Sequence, residues 1–301
     1  MSSSEKLTGL LIKGVGGLYT VDLGGSLMDC RACGRFRRER ITPLAGDRVE
    51  VEVQEDGTGF LVEILPRRNS LIRPPVANLD CLVIVASAAR PDPNTLVIDK
   101  MIAVAEEHGI EPAVVFNKRD LADVEHLYAA YQKAGFASFL LSAEQPESVE
   151  PLKKYLTGKV SAFTGNSGVG KSSLLNRICP RLGLATGEIS QKLGRGRHTT
   201  RTVELFPLPE GGYIADTAGF SSLNMEMVLP ILPDNLPFCF REFLPLLGTC
   251  RFASCRHVKE TGCAIKAALE AGEIAPSRYE SYVAMLEDAK KLPEWQLTDK
   301  S

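Results

Sequence analysis

The sequence predicts a three-part α/β protein: a small all-β unit first, a doubly wound α/β domain next, and a helical end built around a Cys/His cluster. Three observations carry this. Five short β-rich runs fall within residues 7–65, separated by glycine and aspartate turns. From Leu79 onward, strand-like and helix-like stretches alternate, the pattern of a parallel sheet covered on both faces. Near the C-terminus, Cys250, Cys255, His257 and Cys263 offer four soft or borderline metal ligands within 14 residues. The chain has 301 residues, 44% hydrophobic and 24% charged, enough for two or three domains. Its net charge of −2 excludes a uniformly basic nucleic-acid binder, so any such contact must use local patches. The start MSSSEKLTGL lacks a signal-peptide core and no 18-residue apolar run exists, so the expectation is a cytoplasmic protein without a membrane span.

The β-rich runs are Leu7–Ile12, Gly17–Leu23, Leu27–Ala32, Asp47–Gln54 and Gly59–Leu65. Five strands in so short a segment suggest a closed OB-type barrel, with an SH3-like barrel as the rival. Arg31, Arg35, Arg37, Arg38 and Arg40 cluster in one loop, and Arg67, Arg68 and Arg73 follow at the exit. Such patches on a barrel point to RNA contact; a solvated face is the plain alternative. Cys30 and Cys33 form a CxxC in a strand context without a second pair, which argues against a redox or metal role.

The expected domains are 1–70, 71–226 and 227–301, with boundaries near Arg68–Arg73 and Asn224–Pro230, both beside prolines. In the middle domain the expected strands are Leu79–Ser87, Glu111–Phe116, Phe136–Leu141 and Lys159–Thr164; Asn94–His108 and Leu121–Ala134 read as helices. The last of these strands runs into GNSGVGKS, a complete phosphate-binding loop made of Gly165, Asn166, Ser167, Gly168, Val169, Gly170, Lys171 and Ser172, with Ser173 behind it. Its glycines let successive N–H groups turn onto a diphosphate, Lys171 reaches the β- and γ-phosphates, and the Ser172 hydroxyl ligates Mg²⁺. A helix over Ser172–Ile178 then presents its positive end to the phosphates.

The base is addressed by Asn117-Lys118-Arg119-Asp120, an NKxD element at the end of an apolar strand. A carboxylate at Asp120 accepts from both N1–H and the 2-amino group of guanine, a donor pair that adenine lacks. Ser142-Ala143, 25 residues on, matches the SA element whose backbone N–H meets guanine O6. Downstream, Asp216-Thr217-Ala218-Gly219 is a DxxG: Asp216 on the Mg²⁺ side and Gly219 sensing the γ-phosphate. Thr199 or Thr200 in GRGRHTTR is placed to close over Mg²⁺. The motif order is NKxD, SA, phosphate loop, Thr, DxxG, whereas an ordinary GTPase starts with the phosphate loop. The middle domain therefore reads as a circularly permuted P-loop GTPase domain, because permutation only relocates the termini. Phe220 stands where many GTPases carry a water-orienting Gln, so slow turnover alone is expected, and His198 in the basic loop Gln191–Thr202 is the candidate to approach the water.

Three thiolates and one imidazole without a carboxylate suit one structural Zn²⁺; two disulfides are the alternative, less suited to a reducing cytosol. Ser277-Arg278-Tyr279-Glu280 reads as a capping box opening the last helix. Cys81, Cys179 and Cys239 read as core residues, and His108 and His126 as structural or solvated.

Taken with the tail GEIAPSRYESYVAML, the permuted order, the arginine-rich barrel and the C-x4-C-x-H-x5-C cluster resemble the ribosome small-subunit-dependent GTPase A (RsgA/YjeQ) family from about Leu7 to Met285. The resemblance implies a ribosome-stimulated GTPase of late 30S maturation that contacts 16S ribosomal RNA and takes GTP and GDP. It implies Asn117, Lys118 and Asp120 for the base, Gly165 to Ser173 for the phosphates, and Cys250, Cys255, His257 and Cys263 for zinc. A monomer is expected. Ala218 and Thr261 stand where the family usually has Pro, which touches loop rigidity and no ligand. Two other readings are a large-subunit assembly GTPase, separable by 30S against 50S co-sedimentation, and a nucleotide-gated RNA-binding module, separable by whether 30S subunits stimulate turnover.

Overall fold

A computed structural model describes residues 6–55, 57–72, 74–184, 203–215 and 231–291. The DxxG Asp216–Gly219, Phe220, the basic loop with His198, Thr199 and Thr200, Arg73 and the side chain of Arg37 lie outside the described residues.

The N-terminal unit is a closed barrel of β1 (Lys6–Val15), β2 (Leu18–Asp22), β3 (Leu27–Ala32), β4 (Arg48–Val53) and β5 (Gly59–Ile64), in the order β1-β2-β3-β5-β4. All pairs are antiparallel except β3 with β5, and β4 returns to β1 to close the ring. Alternation does the work: Val49, Val51 and Leu61 point inward and are fully buried, while Arg48, Glu50 and Phe60 between them face outward or the margin. The arginine segment is more ordered than a loop. Gly34–Arg38 forms a short helix, α1, anchored by buried Phe36, with Arg35 and Arg38 exposed. The exit arginines are used internally: Arg67 donates to both carboxylate oxygens of buried Asp47, and Arg68 pairs with Asp80 at 2.7 Å.

A hairpin of β6 (Ser70–Ile72) and β7 (Pro75–Ala77) leads into a six-stranded sheet. Its strands are β8 (Cys81–Ser87), β9 (Glu111–Asn117), β10 (Ala137–Leu140), β11 (Val160–Thr164), β12 (Leu205–Pro207) and β13 (Tyr213–Ala215), in the order β10-β9-β8-β11-β13-β12. Only the edge pair β12–β13 is antiparallel. β8 is buried along its whole length because helices cover both faces, as a parallel sheet requires. The helices are α2 (Thr95–Glu107), α3 (Glu125–Lys133), α4 (Pro146–Leu156) and α5 (Lys171–Ile178). α2 matches expectation to its ends, with Asn94 capping it by accepting from Val97 N–H. α3 starts later than Leu121, because Lys118–Leu121 closes a tight turn instead.

The C-terminal region has two 3-10 turns, Leu236–Cys239 and Arg241–Leu246, then α6 (Ala264–Glu270) and α7 (Pro276–Lys290). Its core is aromatic: Phe240 stacks on Phe243 at 5.1 Å, and Tyr282 meets both edge-on. The capping box at Ser277 does not form. The helix begins at Pro276 with Ala275 as N-cap and no side-chain cap, since proline presets the first helical φ one residue earlier. Among the described residues, no helix is long and apolar enough to cross a membrane.

Candidate nucleotide and metal sites

β9 ends in Asn117, and that buried side chain ties three segments together. Its Nδ2 donates to Val169 O at 2.9 Å in the phosphate loop, and its Oδ1 accepts from Ala143 N–H at 3.0 Å in the SA element. Lys118 follows with φ of 65°, and its Nζ donates to Gly168 O at 2.7 Å and Arg90 O at 2.9 Å. Thus NKxD and the phosphate loop, adjacent ends of parallel strands separated only by β8, are knitted by side-chain-to-backbone bonds. Glycine is required at two points of this seam. A Cβ on Gly170, at φ of 87°, would meet Asn117 Nδ2, and one on Gly165 would meet Val85 O.

Lys171 opens α5 and sits folded across the loop, its Nζ donating to Gly165 O at 3.3 Å. Burial pulls its ammonium down to about 8. A bound anion would compensate that burial. Asp120 and Arg119 are exposed beyond the turn, with Arg119 N–H held by Leu141 O at 3.1 Å. The Ala143 N–H expected for guanine O6 already donates to Asn117 Oδ1, so a base would share it. Two supporting residues carry no motif signal. Arg177 Nε donates to Ala143 O at 2.9 Å, and Ser148 Oγ both accepts from Ser142 N–H and donates to Ser142 O. Both hold the SA turn from helices that pack beneath it.

At the other end, Cys250, Cys255, His257 and Cys263 bring their ligand atoms within 4.8 Å of one another. Cys250 and Cys263 Sγ each lie 3.5 Å from His257 Nδ1, and 3.9 Å from each other. A tetrahedron with M–S of about 2.3 Å and M–N of about 2.0 Å has edges of roughly 3.5–3.8 Å, so the donor set fits a tetrahedral soft-metal centre. No disulfide links these cysteines, which removes the alternative pairing. Burial lowers the His257 pKa from its ordinary value, favouring the neutral imidazole a metal needs. His257 adopts φ of 62°. That turn is held by Glu260, whose carboxylate accepts from Arg256, Val258 and Lys259 N–H at 2.9–3.0 Å. The Arg256 N–H bond leads in pulling Glu260 down to about 2. Tyr279 and Tyr282 donate to the carbonyls of His257 and Arg256. Spacing alone flagged the four ligands and none of these supports.

NKxD, SA element and phosphate loop, met in that chain order at the carboxyl ends of strands of one sheet and behind a closed barrel, define a circularly permuted GTPase. Comparison with known proteins sharpens the class: the chain belongs to the RsgA GTPase family, whose GTPase profile matches residues 64–226 and whose N-terminal domain profile matches residues 8–61. It is 46% identical to the small ribosomal subunit biogenesis GTPase RsgA of Caldanaerobacter subterraneus subsp. tengcongensis, over 95% of this chain and 97% of that one. YjeQ from Thermotoga maritima superposes with a TM-score of 0.80 at 35% identity, over 96% of this chain and all of that one. YloQ, a circularly permuted GTPase, gives 0.82 at 33%, over 97% and 99%.

Proposed function

We propose that this protein hydrolyses GTP to GDP and phosphate in the biogenesis of the small ribosomal subunit, as its relatives' names state for them. The observation that carries the reading is Asn117, which fastens a guanine-type NKxD, an SA turn and a phosphate loop into one seam. Asp120 selects guanine, Gly165 to Ser173 hold the phosphates, and Lys171 neutralises the β- and γ-phosphates. Ser172 and Asp216 hold the Mg²⁺ that accompanies GTP in this family, with Thr199 or Thr200 and Gly219 closing on the γ-phosphate. The Cys₃His centre holds one structural Zn²⁺. The barrel, through Arg31, Arg35 and Arg38, engages 16S rRNA in the cytoplasm. His198 approaches the attacking water once the basic loop docks on RNA. Large-subunit assembly is not favoured, since the matched relatives are named for the small subunit. The test is GTP turnover alone, with 30S and with 50S subunits. Stimulation by 30S only is expected; equal stimulation by 50S, or none, defeats the proposal.

A further inference from the structure

Two side-chain contacts join the barrel to the GTPase sheet beside the segments that carry the switch residues. Tyr213 OH donates to Asp22 Oδ2 at 2.6 Å. Asp22 closes β2 and is only 8% exposed, and its other oxygen accepts from Gly24 and Gly25 N–H at 2.9 and 2.6 Å. The carboxylate is therefore fixed by the barrel's own turn, and Tyr213 is the partner reaching in from outside. Lys13 Nζ on β1 pairs with Glu204 Oε1 at 3.0 Å.

The chain positions of these residues give the contacts their meaning. Tyr213 begins β13, which ends at Ala215, and Asp216 of the DxxG is the next residue. Glu204 immediately precedes β12, and one residue, Val203, separates Glu204 from the threonine-bearing loop. Leu205 pairs with Ala215, so the two contacts grip two strands of one antiparallel pair. Tyr213 also pairs with Val160 on β11, the strand that delivers the phosphate loop. β12 is the sheet's edge strand, and Val203 and Leu205 are buried in a core shared with barrel residues Leu10 to Ile12. The barrel thus holds the strands at the base of both switch segments, through this shared apolar core and through the two polar contacts.

We infer that Tyr213–Asp22 and Lys13–Glu204 are positioning contacts through which occupancy of the barrel sets the placement, for hydrolysis, of β12 and β13, the strands that in sequence follow the switch threonine and precede the DxxG aspartate. The inference rests on the proposed function, with GTP on the phosphate loop and RNA on the barrel. Neither contact is needed to hold the barrel closed, because its five strands pair with one another in a complete ring. The Lys13–Glu204 pair is about two-fifths exposed on each side and so contributes little to stability. Each contact matters for where the strands stand. Removing one should leave folding and GTP affinity alone and uncouple the two ends.

The test uses the full chain with Tyr213→Phe, which deletes one hydroxyl and keeps the ring, and separately Lys13→Glu, Glu204→Lys and the two together. Turnover is measured with and without 30S subunits, with KM and kcat separated. Subunit affinity is measured with GDP and with a non-hydrolysable GTP analogue. Tyr213→Phe should keep unstimulated turnover and the KM for GTP, lose about tenfold in stimulated kcat, and narrow the difference in subunit affinity between the two nucleotides. The charge swap should restore what each single reversal loses. A Tyr213→Phe protein with unchanged stimulated kcat and unchanged nucleotide discrimination overturns the inference. So does a swap no better than the single reversals. Wild-type protein that 30S subunits do not stimulate defeats the functional reading itself, and this inference with it.

Discussion

Asn117→Ala is the sharpest perturbation of the nucleotide seam. The side chain is 1% exposed and makes two buried bonds, to Val169 O and from Ala143 N–H. Alanine leaves one carbonyl and one N–H without partners, each costing about 1–2 kcal/mol in a buried setting. The sheet does not depend on these bonds, because β9 pairs along its whole length with β8 and along most of it with β10. The cost therefore falls on the two loops, which relax toward solvent and must be re-ordered when nucleotide binds. A penalty of about 2–4 kcal/mol corresponds to roughly thirtyfold to several-hundredfold weaker binding, at 1.4 kcal/mol per tenfold. Titration with a fluorescent GDP analogue reads this directly, and thermal unfolding shows whether the fold survives. Asn117→Asp should do no better: it keeps an acceptor for Ala143 N–H but sets a second carboxylate oxygen against Val169 O. Wild-type GDP affinity in Asn117→Ala would refute the reasoning.

Lys171 should make nucleotide binding pH-dependent. Burial lowers it from 10.5 to about 8, so between these values the unfolded chain binds more protons and stability of the free protein rises with pH. Bound phosphates restore the proton, so GDP affinity should fall across the same window and proton uptake should appear in calorimetry; Lys171→Met should flatten it. Asp120→Asn should trade GTP for xanthosine triphosphate, whose 2-position carries a carbonyl in place of the amine, read as a reversal in competition binding. Cys263→Ser should release the metal and loosen the C-terminal region while GTP binding persists, read by elemental analysis and limited proteolysis. Arg278→Met should destabilise by about 3–5 kcal/mol, seen in denaturant unfolding, because it strands two buried carboxylates.

Much of the fold was legible because its signals were local. Five alternating runs marked the barrel, and four of the sheet's six strands were apolar runs bounded by turns. The phosphate loop, NKxD and SA stood out because each fixes residue types at fixed spacing and each follows a strand. α4 was not read as a helix: Pro146 and Pro151 mask it, although Val149, Leu152 and Leu156 keep one buried face. Ser277 misled for the opposite reason, since a capping pattern lay one residue behind a proline that already starts the helix. The supports of the site were not legible at all. Arg177, Ser148 and Glu260 act on backbone atoms of segments brought near by folding, and a side-chain-to-backbone bond leaves no pattern in sequence. Arg67 and Arg68 show the same limit: their charge suggested RNA, and their partners are Asp47 and Asp80.

The two flanking units are attached to the GTPase domain by different chemistry, and the difference bears on how it works. The metal-bearing end is fixed to α2 by buried charge. Arg278 is 1% exposed and donates to Asp99 at 2.6 Å and to Glu242 at 2.7 Å, while Tyr131 donates to the same Asp99 oxygen. Burial alone would lower Arg278, but Asp99 and Glu242 hold it firmly charged. Arg241 adds bonds to Glu106 and Glu111, and Lys100 pairs with Asp288. Removing either partner of such a cluster strands buried charge, which makes this junction costly to open. α2 also reaches the phosphate loop, since Asn94 and Val97 line one cavity with Gly165, Asn166 and Val169. Through α2 the metal end and the phosphate loop are therefore attached to the same helix. At the switch strands the barrel shares the buried core that holds Val203 and Leu205 and adds two polar contacts, Tyr213–Asp22 and the part-exposed Lys13–Glu204. These contacts sit on β13 and just before β12, the strands that flank the switch segments in sequence, so the barrel junction is where Tyr213→Phe should register.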